Sequence, residues 1–404
     1  MTFNVKQHKE EIVMDNKKVA IIGVGNCGSQ VANLAERKYG TLFDCIYINS
    51  SKTDLSMVVS ENDDLKFKIG DDEEVEGSGK DRDKMKEYLE QDIQKVVGNK
   101  KFQETIVEKK YCFIVASVAG GTGSGAAPVL LCLMKQIFPD TNFILVAVLP
   151  RLSSTLMEHG NSIDFINELY KSLDSDTVYM IYDNETTVGM PVTLSLTTVN
   201  ANIVEDIRIL TRVDNYPTPY ESIDEGDMNV LLTTPGRLLV TRLKENLTEK
   251  NMEDADLNDM IIKSIKKSCH AETDRTNKKG IRWGIITYFT EQVNNLYADE
   301  FSKLIAFIGK PDERFNHNAI NKGNENMNFL YLIVSGLPPI NDRVKKIKDR
   351  IDELSAGPDD EASKYILEDE EESYNVLAER KKLSKKAAQP DTISISDVFA
   401  KFKK

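Results

Sequence analysis

Two glycine-rich stretches, GVGNCG at 23–28 and GGTGSG at 120–125, each lie between an apolar run and the start of a helical pattern. Glycine lets backbone N–H groups approach an anion closely, and a helix starting just after the loop adds the positive end of its dipole. The chemistry such a pair supports is phosphate binding. The first stretch matches the dinucleotide fingerprint through Gly23, Gly25 and Gly28. That fingerprint also calls for an acid at the end of the next strand, where this chain has Asn49-Ser50. The only acid of that strand, Asp44, stands at its beginning. The second stretch is followed by Ala126 and Ala127, so the lysine of a GxxxxGK[ST] phosphate loop is missing. A third feature is SIDEGDMNVLL at 222–232, which sets Asp224 and Asp227 three apart at a helix start. Two carboxylates pointing one way can position an attacking water, and phosphoryl transfer depends mostly on positioning and electrostatics. The same spacing suits helix capping, with Asp227 as an N-cap before MNVLL.

The elements that must hold these residues alternate in type. Strands are expected at 19–22, 43–49, 111–118, 142–150 and 177–184, separated by helical patterns such as Met85, Leu89, Ile93 and Val96. Alternation of this kind implies a parallel sheet covered on both faces, with ligands outside the carboxyl ends of its strands. A helix at 200–213 follows, and then a second strand–helix rhythm: GRLLVTRLKE, GIRWGIITYFT and FLYLIVSGLP, with helices at 256–268, 291–308 and 340–355. The expected fold is α/β: a Rossmann-like parallel-sheet nucleotide-binding domain joined by a central helix to a smaller α/β domain, with a C-terminal helix and tail. The divisions expected are an arm or short helix at 1–16, the nucleotide-binding domain at 17–199 and the central helix with its acidic loop at 200–228. The second domain then spans 229–340, the C-terminal helix 341–379 and a basic tail 380–404.

The chain has 404 residues and a net charge of −13, which argues against a general nucleic-acid-binding body. Its five cysteines are widely spaced without a CxxC pair, as expected of reduced thiols in a cytoplasm rather than disulfides or a metal site. The polar N-terminus lacks the apolar core of a signal peptide, and no run is long enough to span a membrane. No direct membrane contact is expected.

GGTGSG at 120–125 resembles the signature loop of the tubulin/FtsZ superfamily of GTP-dependent, filament-forming proteins. GNCGSQ at 25–30 is similar to the first nucleotide loop of tubulins, and the order of elements agrees over roughly residues 17–355. The resemblance implies GTP or GDP as ligand, with Gly120, Gly121, Thr122, Gly123, Ser124 and Gly125 around the phosphates. Gly25, Asn26, Cys27 and Gly28 line the same pocket, and Asn26 helps place Mg²⁺ through water, with no direct protein ligand to the metal. EGSGK at 76–80, through Gly77, Ser78 and Gly79, occupies the position of the γ-phosphate-sensing loop. Gln30, Glu158, Asn184 and Asn202 match base and ribose contacts, while Thr198 stands where the family has a stacking aromatic. Asp224 and Asp227 match the catalytic loop that enters the neighbouring subunit's site, with Ser222 replacing the usual Asn.

By its Cys-containing first loop, EGSGKD segment and basic tail, the chain is most similar to the TubZ branch, the plasmid- or phage-borne segregation filaments of bacteria. That branch implies a cytoplasmic GTPase that polymerises head to tail and meets a DNA-bound adaptor through Arg380, Lys381, Lys382, Lys385, Lys386, Lys401, Lys403 and Lys404. Two alternatives remain open on the sequence. One is a division-type or other specialised bacterial tubulin filament; the more remote is an NAD-dependent oxidoreductase using GVGNCG.

Overall fold

The computed structural model describes residues 19–70, 77–171, 176–211, 218, 220–243, 247–272, 279–322, 328–356 and 395–402. The expected arm at 1–16 and most of the expected tail, including residues 380–394, lie outside them. Ten strands are described: β1 (Val19–Val24), β2 (Phe43–Asn49), β3 (Lys66–Lys68), β4 (Tyr111–Ser117), β5 (Asn142–Leu149), β6 (Val178–Asp183), β7 (Gly236–Leu243), β8 (Arg282–Phe289), β9 (Glu313–Ile320) and β10 (Phe329–Leu337). The helices that frame the site or its supports are α1 (Gly25–Tyr39), α2 (Arg82–Val97), α3 (Gly121–Ile137), α4 (Leu156–Lys171), α5 (Val192–Leu210), α6 (Glu225–Thr233), α7 (Leu257–Lys267), α8 (Asn341–Ser355) and α9 (Ile395–Ala400).

The strands form one sheet in the order β3-β2-β1-β4-β5-β6-β7-β10-β8-β9. Pairing is parallel from β3 to β7, β10 is antiparallel to both β7 and β8, and β9 is parallel to β8. Central strands buried on both faces read as continuous apolar runs, and VAIIGV of β1 is buried at every position. Chain order runs outward from β1 through β2 to β3, and on the other side from β4 to β5 and β6. The switch point therefore falls between β1 and β4, and the two glycine loops are the turns that leave these two strands. A parallel sheet opens its ligand crevice at that place.

Two cores flank the sheet around the site, and a third packs the second half of the chain. One is filled by Met85, Leu89 and Ile93 of α2, Val129 to Met134 of α3 and Phe165 of α4. The other takes Val31, Ala32 and Ala35 of α1 with Ile203, Val204 and Ile207 of α5. That second core also includes Val240, Ile286, Tyr331 and Ile333, so α5 packs against strands of both halves of the chain. The sheet thus runs unbroken across the boundary expected at 228/229.

Three expectations are corrected. The central helix begins at Val192 rather than 200, because Pro191, with its fixed φ of −51°, sits at its N-cap. The helix expected over 291–308 is two, Glu291–Leu296 and Ser302–Ile308, with Phe301 between them packed edge-on to Trp283. The end of the expected basic tail is docked: Val398, Phe399 and Phe402 are buried in the core beside α2 and α3. ISDVFAKF sets these three side chains at i, i+1 and i+4, on one side of a helical turn. Of the tail's basic residues, Lys401 alone falls among the described ones, and it is exposed.

Candidate nucleotide site

The two glycine loops touch. A side chain on Gly25, at φ +70°, would come within 3.1 Å of the Gly123 nitrogen, and one on Gly28 would overlap the Val115 carbonyl at 2.1 Å. Gly28 therefore lets α1 lie directly on β4. A Cβ at Gly121 would fall 2.0 Å from Ser78 Oγ and 2.8 Å from Lys80 Cα, which brings the 77–80 loop onto the same turn. Gly120, Gly77 and Gly79 have open space where a side chain would be, and Gly77 and Gly79 hold positive φ of 86° and 61°. Glu76, the first residue of EGSGK, lies outside the described residues. The structure thus brings Gly25 to Gly28, Gly77 to Gly79 and Gly120 to Gly125 to one place.

The helix ends at this junction are bare. Neither Val24, the N-cap of α1, nor Gly120, the N-cap of α3, supplies a side-chain cap, whereas Asp81 caps α2 and Asp256 caps α7. The first N–H groups of a helix have no partner within it, so two adjacent uncapped helices of 15 and 17 residues form a donor-rich anion cradle. The residues present therefore fit a nucleotide's phosphates.

The hydroxyls of the second loop serve its shape. Ser124 is fully buried and its Oγ donates to the Gly120 carbonyl, while Thr122 Oγ1 and Ser50 Oγ are 2.7 Å apart. Asn26 and Gln30 are exposed on the first turns of α1, and Gln30 Nε2 donates to Asn26 Oδ1 at 3.0 Å. Cys27 packs partly buried against the core, and burial pushes its thiol up to about 12. Among the described residues no cluster of three or more His, Cys, Asp or Glu could hold a metal.

On the base side, Asn184 follows β6, and its Oδ1 is buried without a partner among the described residues. A carboxamide oxygen of that kind can accept from the N1–H and N2–H₂ edge of guanine. Asn202 is engaged within the chain: Nδ2 donates to Thr198 O at 2.9 Å and contacts Cys269 Sγ at 3.3 Å, and Oδ1 accepts from Arg242. Burial alone would raise Glu158, but the Thr155 backbone N–H and the Lys80 ammonium hold its carboxyl below the usual range. Lys80 Nζ lies 3.0 Å from Glu158 Oε1.

Sequence reading missed Lys80 and also Arg82, whose Nη2 donates to the Ser124 carbonyl at 2.9 Å and pairs with Glu168 at 2.5 Å. EGSGKDR carries both, yet neither spacing nor charge distinguishes them from a solvated helix start.

The acidic loop lies elsewhere. Asp224 Oδ1 accepts from Asp227 N at 2.9 Å and Asp227 Oδ2 accepts from Asp224 N at 3.2 Å, a reciprocal capping box at the start of α6. The N-cap is thus Asp224, not Asp227. Lys110 Nζ pairs with Glu225 at 2.7 Å, and Tyr111 OH donates to Asn229 at 3.3 Å. These contacts fix α6 beside the amino end of β4, whereas GGTGSG leaves its carboxyl end. The seven residues of β4 separate the two by about 23 Å at ~3.3 Å per residue.

Residues 18–190 match the model of the tubulin/FtsZ family, GTPase domain. This segment is a tubulin/FtsZ GTPase domain. Beyond it, the tubulin-like protein TubZ of Clostridium botulinum C phage is 23% identical over 399 residues, 95% of this chain and 99% of that relative. Among solved structures, the tail-truncated TubZ of C. botulinum phage c-st superposes with a TM-score of 0.66 at 20% identity, covering 84% of this chain and 98% of that one. A GTPγS-form protofilament of Bacillus thuringiensis serovar israelensis TubZ gives 0.64 at 16% identity, covering 87% and 96%. The fold of these structures therefore extends through the second half of the chain. The oxidoreductase alternative, resting on GVGNCG alone, is set aside by this match.

Proposed function

We propose that the chain binds GTP, polymerises head to tail, and hydrolyses the nucleotide only where the acidic loop of one subunit meets the phosphate cradle of the next. The observation that carries this reading is the placement of cradle and carboxylates at opposite ends of β4. An aspartate side chain cannot cover that distance within one subunit, but stacking two copies end to end brings the two parts together. The surfaces suit such stacking. Val188, Met190, Val192, Leu194 and Leu196 form an exposed apolar stretch after β6, on the cradle side of the sheet, and Tyr220 is exposed next to the acidic loop. Exposed apolar patches of this kind mark association sites, and a heterologous contact that does not close generates a filament.

In this reading Gly25 to Gly28, Gly77 to Gly79 and Gly120 to Gly125 hold the phosphates, and Asn184 Oδ1 accepts from guanine. Gln30, Glu158 and Asn202 lie around the base and ribose, the last only after Arg242 gives way. Asn26 is the residue that would lie near a Mg²⁺ ion held through the phosphates and water, an ion that would supply neutralisation of phosphate charge. Asp224 and Asp227 orient the attacking water while capping α6. The cellular role that best suits a TubZ relative is segregation of plasmid or phage DNA in a bacterial cytoplasm, through a DNA-bound adaptor that takes the basic segment after Arg380. Among the described residues no helix is long and apolar enough to cross a membrane.

The test is sedimentation with GTP and Mg²⁺. Wild type pellets, and Asp227→Ala forms longer-lived polymer that releases little phosphate. A wild type that stays in the supernatant with a slowly hydrolysed GTP analogue would refute the filament reading.

A further inference from the structure

GGTGSG lacks the lysine that reaches the terminal phosphates in P-loop proteins, yet a lysine stands at the mouth of the same cradle. Lys80 is the one non-glycine residue with positive φ, 68°, among the described residues. Its neighbours at 77 and 79 are glycines with the same sign of φ, so a side chain is kept at the position where glycine would be easier. Its backbone is fixed. Asn161 Nδ2 donates to the Lys80 carbonyl at 2.9 Å and to the Ala119 carbonyl at 3.0 Å, tying it to the residue just before the phosphate loop.

The side chain, by contrast, is 46% exposed and its ammonium rests on Glu158 Oε1 at 3.0 Å. Glu158 does not depend on it, because its other oxygen accepts from Thr155 N at 2.9 Å and Thr155 Oγ1 at 3.0 Å. The nearby Arg82 is not free to serve, being 4% exposed and bound to Ser124 O and Glu168.

We infer that Lys80 is the side-chain cation for the terminal phosphate, leaving Glu158 to pair with a γ-phosphate oxygen and so distinguishing GTP from GDP. The inference rests on the GTP-binding reading above. A charge-assisted contact that GDP cannot make lowers affinity for the triphosphate alone when it is removed. The exchange also links the 77–80 loop and the start of α4 to the nucleotide's state.

Calorimetric titration of the full chain with GTPγS and with GDP, in Mg²⁺, tests it on Lys80→Met, Lys80→Arg and the remote control Lys135→Met. Lys80→Met should lose about tenfold or more for GTPγS while GDP binding stays within about threefold, and Lys80→Arg should recover most of the loss. Lys135→Met, which removes a surface pair with Asp176, should match wild type for both. Equal losses for GTPγS and GDP in Lys80→Met, or no loss for either, would show that the pair with Glu158 is structural and overturn the inference. A wild type that binds neither nucleotide would instead strike the GTP reading itself.

Discussion

Two disabled variants of this chain should restore each other's activity when mixed. Asp227→Asn removes a carboxylate of the acidic loop but keeps an oxygen that can accept from Asp224 N, a bond of 3.2 Å in the native chain. Asp224 still caps the Asp227 N–H, so the roughly 1 kcal/mol that an N-cap contributes is largely kept. Gly121→Val disables the other end, since even a Cβ there would fall 2.0 Å from Ser78 Oγ and 2.8 Å from Lys80 Cα. Each variant alone should release phosphate at about 1% of the wild-type rate or less, the usual scale for losing a group that handles the reacting water.

In an equimolar mixture four kinds of head-to-tail contact form. One kind joins the intact cradle of an Asp227→Asn subunit to the intact loop of a Gly121→Val subunit. Random pairing makes that about a quarter of all contacts, so the mixture should run at about a quarter of the wild-type rate. The Gly121→Val subunit need only donate its loop, so a single contact suffices and its own nucleotide is not required. The assay is phosphate release against total protein, and the recovered activity should rise more steeply than linearly because it needs two subunits. A mixture that shows only the average of its two components would refute the argument from β4, because carboxylates acting within their own subunit gain nothing from a partner.

Two further outcomes follow from the packing. Phe399→Ala truncates a side chain that is 2% exposed, a change that costs about 3–5 kcal/mol in a core. Phe399 is one of three buried side chains that hold this short helix to the body, so hydrogen exchange should show 395–402 released while the melting temperature of the main body barely moves; unchanged protection at 395–402 would refute the docking. Glu205, buried beside α1, accepts from Lys38 at 2.5 Å, from Tyr39 and from Arg208 at 2.9 Å. Burial alone would raise its carboxyl, but these donors bring it from 4.5 down to about 2. A depressed pKa means stability present above the unfolded value and lost as pH falls from about 4.5 towards 2, by an upper bound of about 3 kcal/mol. Glu205→Gln should therefore be less stable than wild type at pH 6 and nearly level with it near pH 2, read by denaturant unfolding; a gap that does not narrow on acidification would refute the assignment.

The site was legible where chemistry demands glycine. Gly28 and Gly121 have no room for a side chain, and that constraint shows directly as a run of glycines between a strand and a helix. Residues whose role arises from distant contacts left no such trace. Asp183, which the sequence shows only as the end of an apolar strand, is held by the Arg343 guanidinium, with Nε 2.5 Å from Oδ2 and Nη2 3.1 Å from Oδ1, across 160 positions of sequence. Burial raises the Asp183 carboxyl even so. Edge strands were equally silent. ERFNHNAI at β9 is half polar because β8 is its one partner in the sheet, and its first residues are exposed. Lys80 needed the backbone itself, since a positive φ at a lysine cannot be read from composition.

The two-part reading of the chain and its single sheet meet at one seam. β6 and β7 are joined over Val178↔Gly236 and Tyr179↔Arg237 alone, while β4 and β5 pair at seven positions. Few ladder bonds cross the seam, and the remaining cohesion comes from side chains on either side of it. Arg237, 1% exposed, donates to Ala271 O at 3.1 Å and to Pro338 O at 3.3 Å, and α5 spans both halves through the core it shares with them. The rhythm of strands and helices suggested two units because the ladder is thin there. The packing makes them one body because a buried arginine and a nineteen-residue helix bridge what the ladder does not. A helix placed this way, beginning after β6 and preceding α6 in sequence, runs along the sheet from the cradle's end towards the acidic loop.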